Sequence, residues 1–225
     1  MNRFGTVSSA IGLMGCVALT ALLIGPAATA APTSPSQHAV DAGLDVHVLS
    51  TADNKIYDRG SNQGWWSDRT RGRNRNDNYI VGKCCHAHYR DFFTFDLSQI
   101  GRHVVRADLR VFSASIKGGP FDFGLFDVST SAAAVNHNVG RNLAIFEDLG
   151  TGDSYGTYEI SRDQQHEWLN LRLNHAAISD MNDSLGKYFT LGGSMLTPTS
   201  GRHGQYLFAS SQKWNARLVV RTTPH

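Results

Sequence analysis

The sequence predicts an all-β protein, a two-sheet antiparallel sandwich of jelly-roll type with one short helix. Three observations support this fold class. Several segments alternate apolar and polar residues with a period of two, which is typical of half-buried strands. Clusters of Gly, Asn, Asp and Ser separate these segments, as turns require. Strands do not alternate with helices along the sequence, so a parallel α/β fold is excluded.

The clearest strand is predicted over 104–113. Its alternate apolar residues are expected to face the core: Val105, Ala107, Leu109 and Val111. The charged residues between them are expected to face solvent: Arg106, Asp108 and Arg110. The same alternation predicts strands over 89–97, 169–173 and 216–221. Shorter strands are expected over 79–81, 121–128, 143–146, 154–160, 188–191 and 206–209.

One helix is predicted after Asn174, a residue type that is favoured at the N-cap because its side chain accepts a backbone hydrogen bond. Ala177, Met181 and Leu185 recur every four residues. Gly186 suits the position just beyond the end of a helix. We expect this helix to cover one end or edge of the sheets.

The first thirty residues predict a cleavable secretory signal peptide. Arg3 is the only charged residue of this segment, an apolar stretch follows it, and Ala28-Thr29-Ala30 supplies the small residues that a signal peptidase needs. The apolar stretch is shorter than the ~20 residues of a membrane-spanning helix. We therefore predict cleavage between Ala30 and Ala31, a secreted protein and no membrane insertion.

Three regions are predicted along the chain: the signal peptide (1–30), a disordered leader (31–42) and a single β-sandwich domain (43–225). The leader is rich in Pro and Ser, which is typical of a flexible terminus. The chain has 21 Lys and Arg against 19 Asp and Glu, and the signal peptide contains only one of these charges. This balance offers no broad positive field, so nucleic acid is not expected as a partner.

An ordered series of motifs runs through most of the predicted domain. The motifs are GWWSD (64–68), NDNYIVG (76–82), YRDFFTFDL (89–97), IFEDLG (145–150) and YFTLGG (188–193). The series resembles a group of secreted bacterial β-sandwich proteins of uncharacterised function. Its architecture is similar to that of carbohydrate-binding-like jelly rolls. The resemblance implies an exported β-sandwich and brings no catalytic residues with it.

Trp65 and Trp66 lie in a stretch rich in Gly, Ser and Asp. An exposed aromatic ring can stack on the apolar face of a sugar. One interpretation is a glycan platform that uses Trp65 or Trp66 together with Tyr79; the other is that both tryptophans are partly buried under loops. Neighbours on a strand point to opposite faces, so at most one of the pair is expected to face solvent.

The segment that follows is basic. Its arginines occupy alternate positions: Arg69, Arg71, Arg73 and Arg75. Arg73 is a candidate contact for an anionic polymer such as a uronic-acid glycan or a teichoic acid. A solvated basic loop is the alternative.

Cys84 and Cys85 are adjacent, and the third cysteine of the chain lies in the predicted signal peptide. A bond between neighbours crosslinks nothing distant, so a vicinal disulfide in an exposed loop, a link between chains and a thiolate pair all remain open. Thiolates together with His86 and His88 suit Zn(II) or Cu(I). In an extended segment Cys84, His86 and His88 would project to one face.

A calcium site is a further hypothesis. Asp68, Asn76 and Asp77 carry the oxygen ligands that Ca(II) prefers. Their spacing does not match an EF-hand loop, and the arginines of the same segment oppose a cation. An ordinary loop rich in Asn and Asp is the alternative.

Motifs of enzymes are missing from the sequence: there is no G-x-S-x-G, no H-E-x-x-H and no phosphate-binding Gly-rich loop. We therefore predict a secreted, non-catalytic β-sandwich that binds an extracellular carbohydrate or a cell-envelope polymer. Two alternatives stay open: a polysaccharide-acting hydrolase or lyase, and a metal-binding or structural envelope protein.

Overall fold

The computed structural model describes residues 43–58, 60–72, 78–197, 204–210 and 214–224. The strands are β1 (Asp45–Ser50), β2 (Gln63–Ser67), β3 (Tyr79–Cys84), β4 (Ala87–Asp96), β5 (Val104–Phe112), β6 (Ser115–Lys117), β7 (Phe121–Phe126), β8 (Ser154–Ile160), β9 (Trp168–Arg172), β10 (Tyr188–Met195), β11 (Gln205–Ala209) and β12 (Arg217–Thr222). The helices are α1 (Ala132–Asn136), α2 (Leu143–Asp148) and α3 (His175–Asp183), with a 3-10 turn at Arg162–Gln164.

The strands form two antiparallel sheets. The smaller sheet has four strands in the order β1-β12-β5-β9. The larger sheet has eight strands: seven follow the order β6-β11-β3-β4-β10-β7-β8, and β2 pairs with β4 beside this path. The prediction of an all-β, sandwich-like fold is confirmed.

The main core is built from alternate residues of strands in both sheets. Leu109 and Leu218 come from the four-stranded sheet, and Phe93, Phe95 and Leu191 come from the eight-stranded sheet. All five side chains are fully buried. Burial of a large apolar side chain contributes about 1.5–3 kcal/mol, so this alternation is the main reason that the strands pack as they do.

A register shift near the start of β5 overturns one prediction. Arg221 pairs with Arg106, but the next pair is Thr222 with Val104. The extra residue in β5 reverses the alternation, because a bulge moves the following side chains to the opposite face. Val104 is therefore fully buried and Val105 is 40% exposed, so the prediction that Val105 faces the core is wrong.

Helix α3 begins where the sequence predicts it. The Asn174 side chain accepts a hydrogen bond from the Ala177 N–H at 3.2 Å. Ala177 and Met181 are fully buried against the main core. The Asn182 side chain accepts from the Val104 N–H at 2.8 Å and donates to the Val104 carbonyl at 3.0 Å, which fixes the helix to the start of β5.

The predicted strand over 143–146 is wrong, because this segment is the start of helix α2. The Asn142 side chain accepts hydrogen bonds from the Ala144 and Ile145 N–H groups, which caps the first turn. Ile145 and Leu149 are four residues apart and both buried, as one face of a helix requires. Helix α1 was not predicted either, so the expectation of a single helix is corrected to three helices within the residues that the structure describes.

Within the described ranges, no helix is both long and apolar enough to cross a membrane. The predicted signal peptide and leader, residues 1–42, lie outside the described residues.

Candidate functional site

A groove of about 320 Å³ opens on the eight-stranded sheet. Asp68 follows β2, His88 and Arg90 lie on β4, Phe146 lies on α2, and Ser194 lies on β10; all five line the groove. Alternate residues of a strand share a face, which brings His88 and Arg90 to the same side of β4. We call this feature the polar groove.

Asp68 and His88 form a pair at one end of the polar groove. The Asp68 Oδ1 atom accepts a hydrogen bond from the His88 backbone N–H at 2.8 Å, and Oδ2 lies 3.1 Å from the ring Nδ1. An ionised carboxylate only accepts hydrogen bonds, so Nδ1 carries the proton and Nε2 is left as the acceptor of the neutral ring.

The environment of Asp68 favours its ionised form. Burial raises the pKa of Asp68, but the backbone and ring hydrogen bonds from His88 and the nearby charge of Arg69 outweigh it. The net pKa lies below the ordinary value for an aspartate. The carboxylate therefore stays charged at neutral pH and keeps the His88 ring oriented.

Arg90 is fixed against helix α2. Its Nη1 atom donates to the carbonyls of Phe146 and Glu147, each at 2.8 Å. Its Cζ atom lies 4.5 Å from the centre of the Phe146 ring, a cation–π contact. Burial lowers the pKa of Arg90 and the charge of Glu147 opposes this change, yet a guanidinium remains protonated at neutral pH.

Gly150 has no side chain, and the Arg90 guanidinium occupies the space that a side chain there would fill. A Cβ atom at residue 150 would lie 2.6 Å from Arg90 Cζ and 2.8 Å from Ser194 Cβ. Glycine at this position therefore lets the guanidinium lie between α2 and β10.

Tyr89 connects the polar groove to the neighbouring aromatic residues. Its hydroxyl lies 3.0 Å from Thr70 Oγ1, and its ring packs edge-on against Trp65 at 5.0 Å. Trp65 also donates from Nε1 to Asn78 Oδ1 at 3.3 Å. These contacts hold the start of β4 against β2.

The tryptophan pair is buried, which corrects the glycan-platform prediction. Trp65 is 6% exposed and Trp66 is 3% exposed. They point to opposite faces, as expected for neighbours on a strand: Trp65 packs with Tyr89, and Trp66 packs with Phe92 and donates to the Val135 carbonyl at 3.0 Å. Neither indole face is open to a sugar ring.

Tyr79 is also part of the interior. Its hydroxyl donates to the Phe112 carbonyl and accepts from the Phe112 N–H, both at 2.7 Å, so it joins the two sheets. Burial raises the pKa of Tyr79, the bond to Phe112 opposes this, and nearby Asp91 adds to it. The prediction of Tyr79 as a ligand contact is wrong for the same reason as for the tryptophans.

The cysteine pair lies at a hairpin turn between β3 and β4. Cys84 pairs with Ala87, and Cys85 and His86 have φ angles of 52° and 65°. Positive φ at both central residues is typical of a type I′ turn. No disulfide bond joins Cys84 and Cys85 in the structure, and their sulfur atoms lie 2.7 Å apart. Burial, followed by the hydrogen bond and the charge of Cys85, raises the pKa of Cys84 to about 11.

This turn does not form the predicted metal site. The expectation that Cys84, His86 and His88 share one face depended on an extended segment, and the chain reverses at Cys85-His86 instead. His88 is directed to Asp68. In the described part of the chain, no three His, Cys, Asp or Glu side chains converge in a way that could hold a metal ion.

The calcium hypothesis rests mainly on residues outside the described ranges, since Asn76 and Asp77 both lie there. Arg73 lies outside them as well. Asp68 is described, and both of its carboxylate oxygens contact His88.

Sequence reasoning missed Arg90 and Phe146. The sequence predicts a strand at Phe146, and it places Arg90 in the motif 89–97 without indicating a role for its side chain. The C-terminal carbonyls of a helix attract cations, so recognising α2 would have indicated a place for a basic side chain.

The fold and the polar groove define an all-β, sandwich-like protein with a concave polar site on its larger sheet. No protein-family model and no curated protein matches this chain. The resemblance to secreted bacterial β-sandwich proteins therefore stays a prediction.

Proposed function

We propose that this protein binds an extracellular carbohydrate or a cell-envelope polymer without catalysis, and that the polar groove receives the ligand. One observation carries the proposal: the groove places the oriented Asp68–His88 pair and the fixed Arg90–Phe146 stack on one concave surface. The export predicted from residues 1–30 supports an extracellular ligand.

The chemistry of the groove suits a polyhydroxylated ligand. A sugar hydroxyl both donates and accepts hydrogen bonds, and the groove offers an imidazole acceptor at His88 and hydroxyls at Ser194 and Thr197. Phe146 contributes apolar surface beside the guanidinium of Arg90. A concave site with a few fixed polar groups and some apolar surface is typical of small-ligand binding.

A polysaccharide-acting hydrolase or lyase is the second candidate. The Asp68–His88 pair favours it, because a carboxylate that orients an imidazole is the arrangement of a general base. Ser194 lines the same groove, but among the described residues no hydrogen bond joins it to His88. We therefore propose binding, and not hydrolysis or elimination, as the first candidate function.

The test is retention of the protein, with its predicted signal removed, on a panel of soluble and insoluble polysaccharides, with calcium and with a chelator. We expect His88→Ala and Phe146→Ala to weaken binding at least about tenfold, which corresponds to about 1.4 kcal/mol. His103→Ala replaces another exposed histidine outside the groove and is the matched control.

Three outcomes decide the proposal. Retention that is lost in His88→Ala and kept in His103→Ala supports it. If retained polysaccharide releases reducing ends or unsaturated sugars, and His88→Ala abolishes this release, the protein is a hydrolase or lyase instead. Absence of retention on every polysaccharide overturns the binding function.

A further inference from the structure

The turn between β3 and β4 holds two cysteines side by side. The Sγ atoms of Cys84 and Cys85 lie 2.7 Å apart. A sulfur–sulfur bond is about 2.05 Å long, so a small movement separates the two thiols from a bond. The third cysteine of the sequence is Cys16, in the predicted signal peptide. After removal of that peptide, a disulfide within one chain can therefore join only Cys84 to Cys85.

The backbone of this turn is unusual for the residues that it contains. Cys85 and His86 have φ angles of 52° and 65°. Non-glycine residues adopt this left-handed region uncommonly, and a type I′ turn is normally built from Asn, Asp and Gly. Residues that are held in such conformations concentrate at functional sites. The choice of residues therefore indicates that the turn does more than reverse the chain.

The two thiols differ in accessibility. Cys85 is exposed, whereas Cys84 is half-buried. Burial, followed by the hydrogen bond and the charge of Cys85, raises the pKa of Cys84 to about 11. Because the thiolate is the species that attacks a disulfide, Cys84 is a poor first nucleophile at neutral pH. A disulfide reagent in solution is therefore expected to react first with Cys85.

A cavity of about 300 Å³ opens beside the two sulfur atoms, and its lining includes Lys83, Lys117 and Tyr206. Lys83 lies on β3 and Lys117 on β6, and β11 lies between these strands in the sheet. The charge of Lys117 acts on Cys84, since it opposes the effect of burial on the pKa of that thiol. The cavity therefore presents positive charge next to the sulfur atoms.

We propose that Cys84 and Cys85 form a redox site, which reacts with a small disulfide that carries carboxylates and closes into a reversible vicinal disulfide. The lysines of the cavity attract the carboxylates of the reagent, and the exposed sulfur of Cys85 receives it. The described residues that line this cavity differ from those of the polar groove. The redox site therefore stands independently of ligand binding in that groove.

The reaction has two steps. In the first, the Cys85 thiolate attacks one sulfur of the reagent, whose sulfur–sulfur bond breaks, and one small thiolate leaves. In the second, Cys84 loses its proton to solvent, its sulfur attacks the Cys85 sulfur of the mixed disulfide, and the second small thiolate leaves. Overall, the two protein thiols give up two electrons and two protons, and the reagent becomes two small thiols.

Closure within one chain is favoured over a link between chains. The 2.7 Å separation holds the Cys84 sulfur beside the sulfur that it must attack, whereas the sulfur of a second molecule has to diffuse to it. A reaction between groups that are already in place has a far higher effective concentration. This proximity compensates for the small thiolate fraction of Cys84.

The vicinal disulfide is expected to be easily reduced. Neighbouring Cα atoms lie about 3.8 Å apart across a trans peptide, below the ~4.4–6.8 Å that disulfides usually span. Strained and exposed disulfides have the high reduction potentials of labile and regulatory bonds. An excess of a small thiol should therefore reopen the ring, which makes the site reversible.

The experiment mixes the reduced protein, without its predicted signal, with oxidised glutathione at low salt. Cystamine, a small disulfide with positive charges, is the comparison reagent. Mass spectrometry of the tryptic peptide 84–90, which contains both cysteines, distinguishes a ring from an adduct. Cys84→Ser and Cys85→Ser separate the two steps. Lys117→Gln tests the cavity, and Lys55→Gln removes the same charge from an exposed residue elsewhere.

We expect the peptide to lose the mass of two hydrogen atoms, and an excess of reduced glutathione to restore it. Cys84→Ser should stop at the glutathione adduct of Cys85, and Cys85→Ser should react at least about threefold more slowly than Cys84→Ser. Lys117→Gln should slow the reaction with oxidised glutathione at least about threefold without slowing that with cystamine, while Lys55→Gln changes neither.

Other outcomes would overturn parts of the proposal. A lasting glutathione adduct on the unsubstituted protein, or a disulfide-linked dimer, would overturn ring closure. Absence of reaction with both reagents would overturn the redox site. Faster reaction of Cys85→Ser than of Cys84→Ser would overturn Cys85 as the attacking residue. Equal effects of Lys117→Gln and Lys55→Gln would overturn the preference for a reagent with carboxylates.

Discussion

The carboxylate of Asp68 contacts His88 twice, at its backbone N–H (2.8 Å) and at its ring Nδ1 (3.1 Å). Asp68, the residue after β2, lies beside His88 of β4 because Ser67 of β2 pairs with Tyr89 of β4. The contact therefore both extends the β2–β4 pairing by one residue and orients the imidazole in the polar groove.

Asp68→Asn tests the stabilising part of this contact. The pKa of Asp68 is lowered in the folded state, so the stability it contributes is complete above the ordinary aspartate pKa of about 3.9 and is lost as pH falls through the folded value. We expect the variant to lose about 1 kcal/mol of unfolding free energy near neutral pH and almost nothing in strong acid. Urea unfolding at a series of pH values measures this. A loss of equal size at every pH, or a similar loss in the exposed control Asp58→Asn, would contradict it.

Gly150→Ala tests the position of Arg90. The new Cβ would lie 2.6 Å from the Arg90 Cζ and Nε atoms, at the end of a flexible side chain. We expect Arg90 to move away from Phe146, with at least about a tenfold loss of groove binding in the retention assay. Gly101→Ala is the matched control, because nothing lies within 4 Å of its added Cβ. Equal binding by both alanine variants would show that the Arg90–Phe146 stack is not needed.

The fold was largely predictable where a strand buries one face. β9, β12 and the part of β5 from Arg106 to Val111 alternate buried and outward residues, and the local pattern alone predicts them. α2 was not predictable in this way, because a short apolar segment reads as strand or helix until the cap at Asn142 is recognised. The bulge near Val104 was also hidden, since it depends on the register with β12.

The candidate sites depend on strand pairing between distant segments. Asp68 was assigned to calcium and His88 to zinc or copper, yet the structure pairs them with each other through β2 and β4. The alternation in β5 predicts that Arg106 and Arg110 each face outward. Their position opposite Arg217 and Arg221 follows from the order β12-β5-β9, which no local pattern contains.

Alkylation of Cys84 tests the environment of the β3–β4 turn. Burial and the neighbouring Cys85 raise the pKa of Cys84 to about 11, and the thiolate is the reactive form. We expect the alkylation rate at Cys84 to climb about tenfold per pH unit through the alkaline range without levelling off below about pH 10. Peptide mass mapping after timed reaction with iodoacetamide measures it. A plateau near the ordinary thiol pKa would contradict the prediction.

Asp91 is a fully buried carboxyl group in the eight-stranded sheet. Within the described ranges, neither of its oxygens has a hydrogen-bond partner in another residue. Asp91 fits opposite Gly193 because glycine has no side chain: a Cβ atom added at residue 193 would collide with Asp91 Oδ1. Burial raises the pKa of Asp91 to about 8, and its own backbone N–H opposes this only in part. The group is therefore mostly protonated at neutral pH.

The stability of the Asp91→Asn variant relative to the wild type should therefore increase as pH rises. The unfolded chain releases the Asp91 proton near pH 3.9 and the folded chain keeps it to about pH 8, so the wild type loses stability across that interval. The asparagine variant has no such proton, and its unfolding free energy should gain on the wild type by up to about 1.4 kcal/mol per pH unit. Urea unfolding of both proteins from about pH 4 to pH 9 measures the gain, with Asp58→Asn as the exposed control. A constant difference between variant and wild type would mean that Asp91 is ionised in the folded protein and has a partner that stabilises its charge.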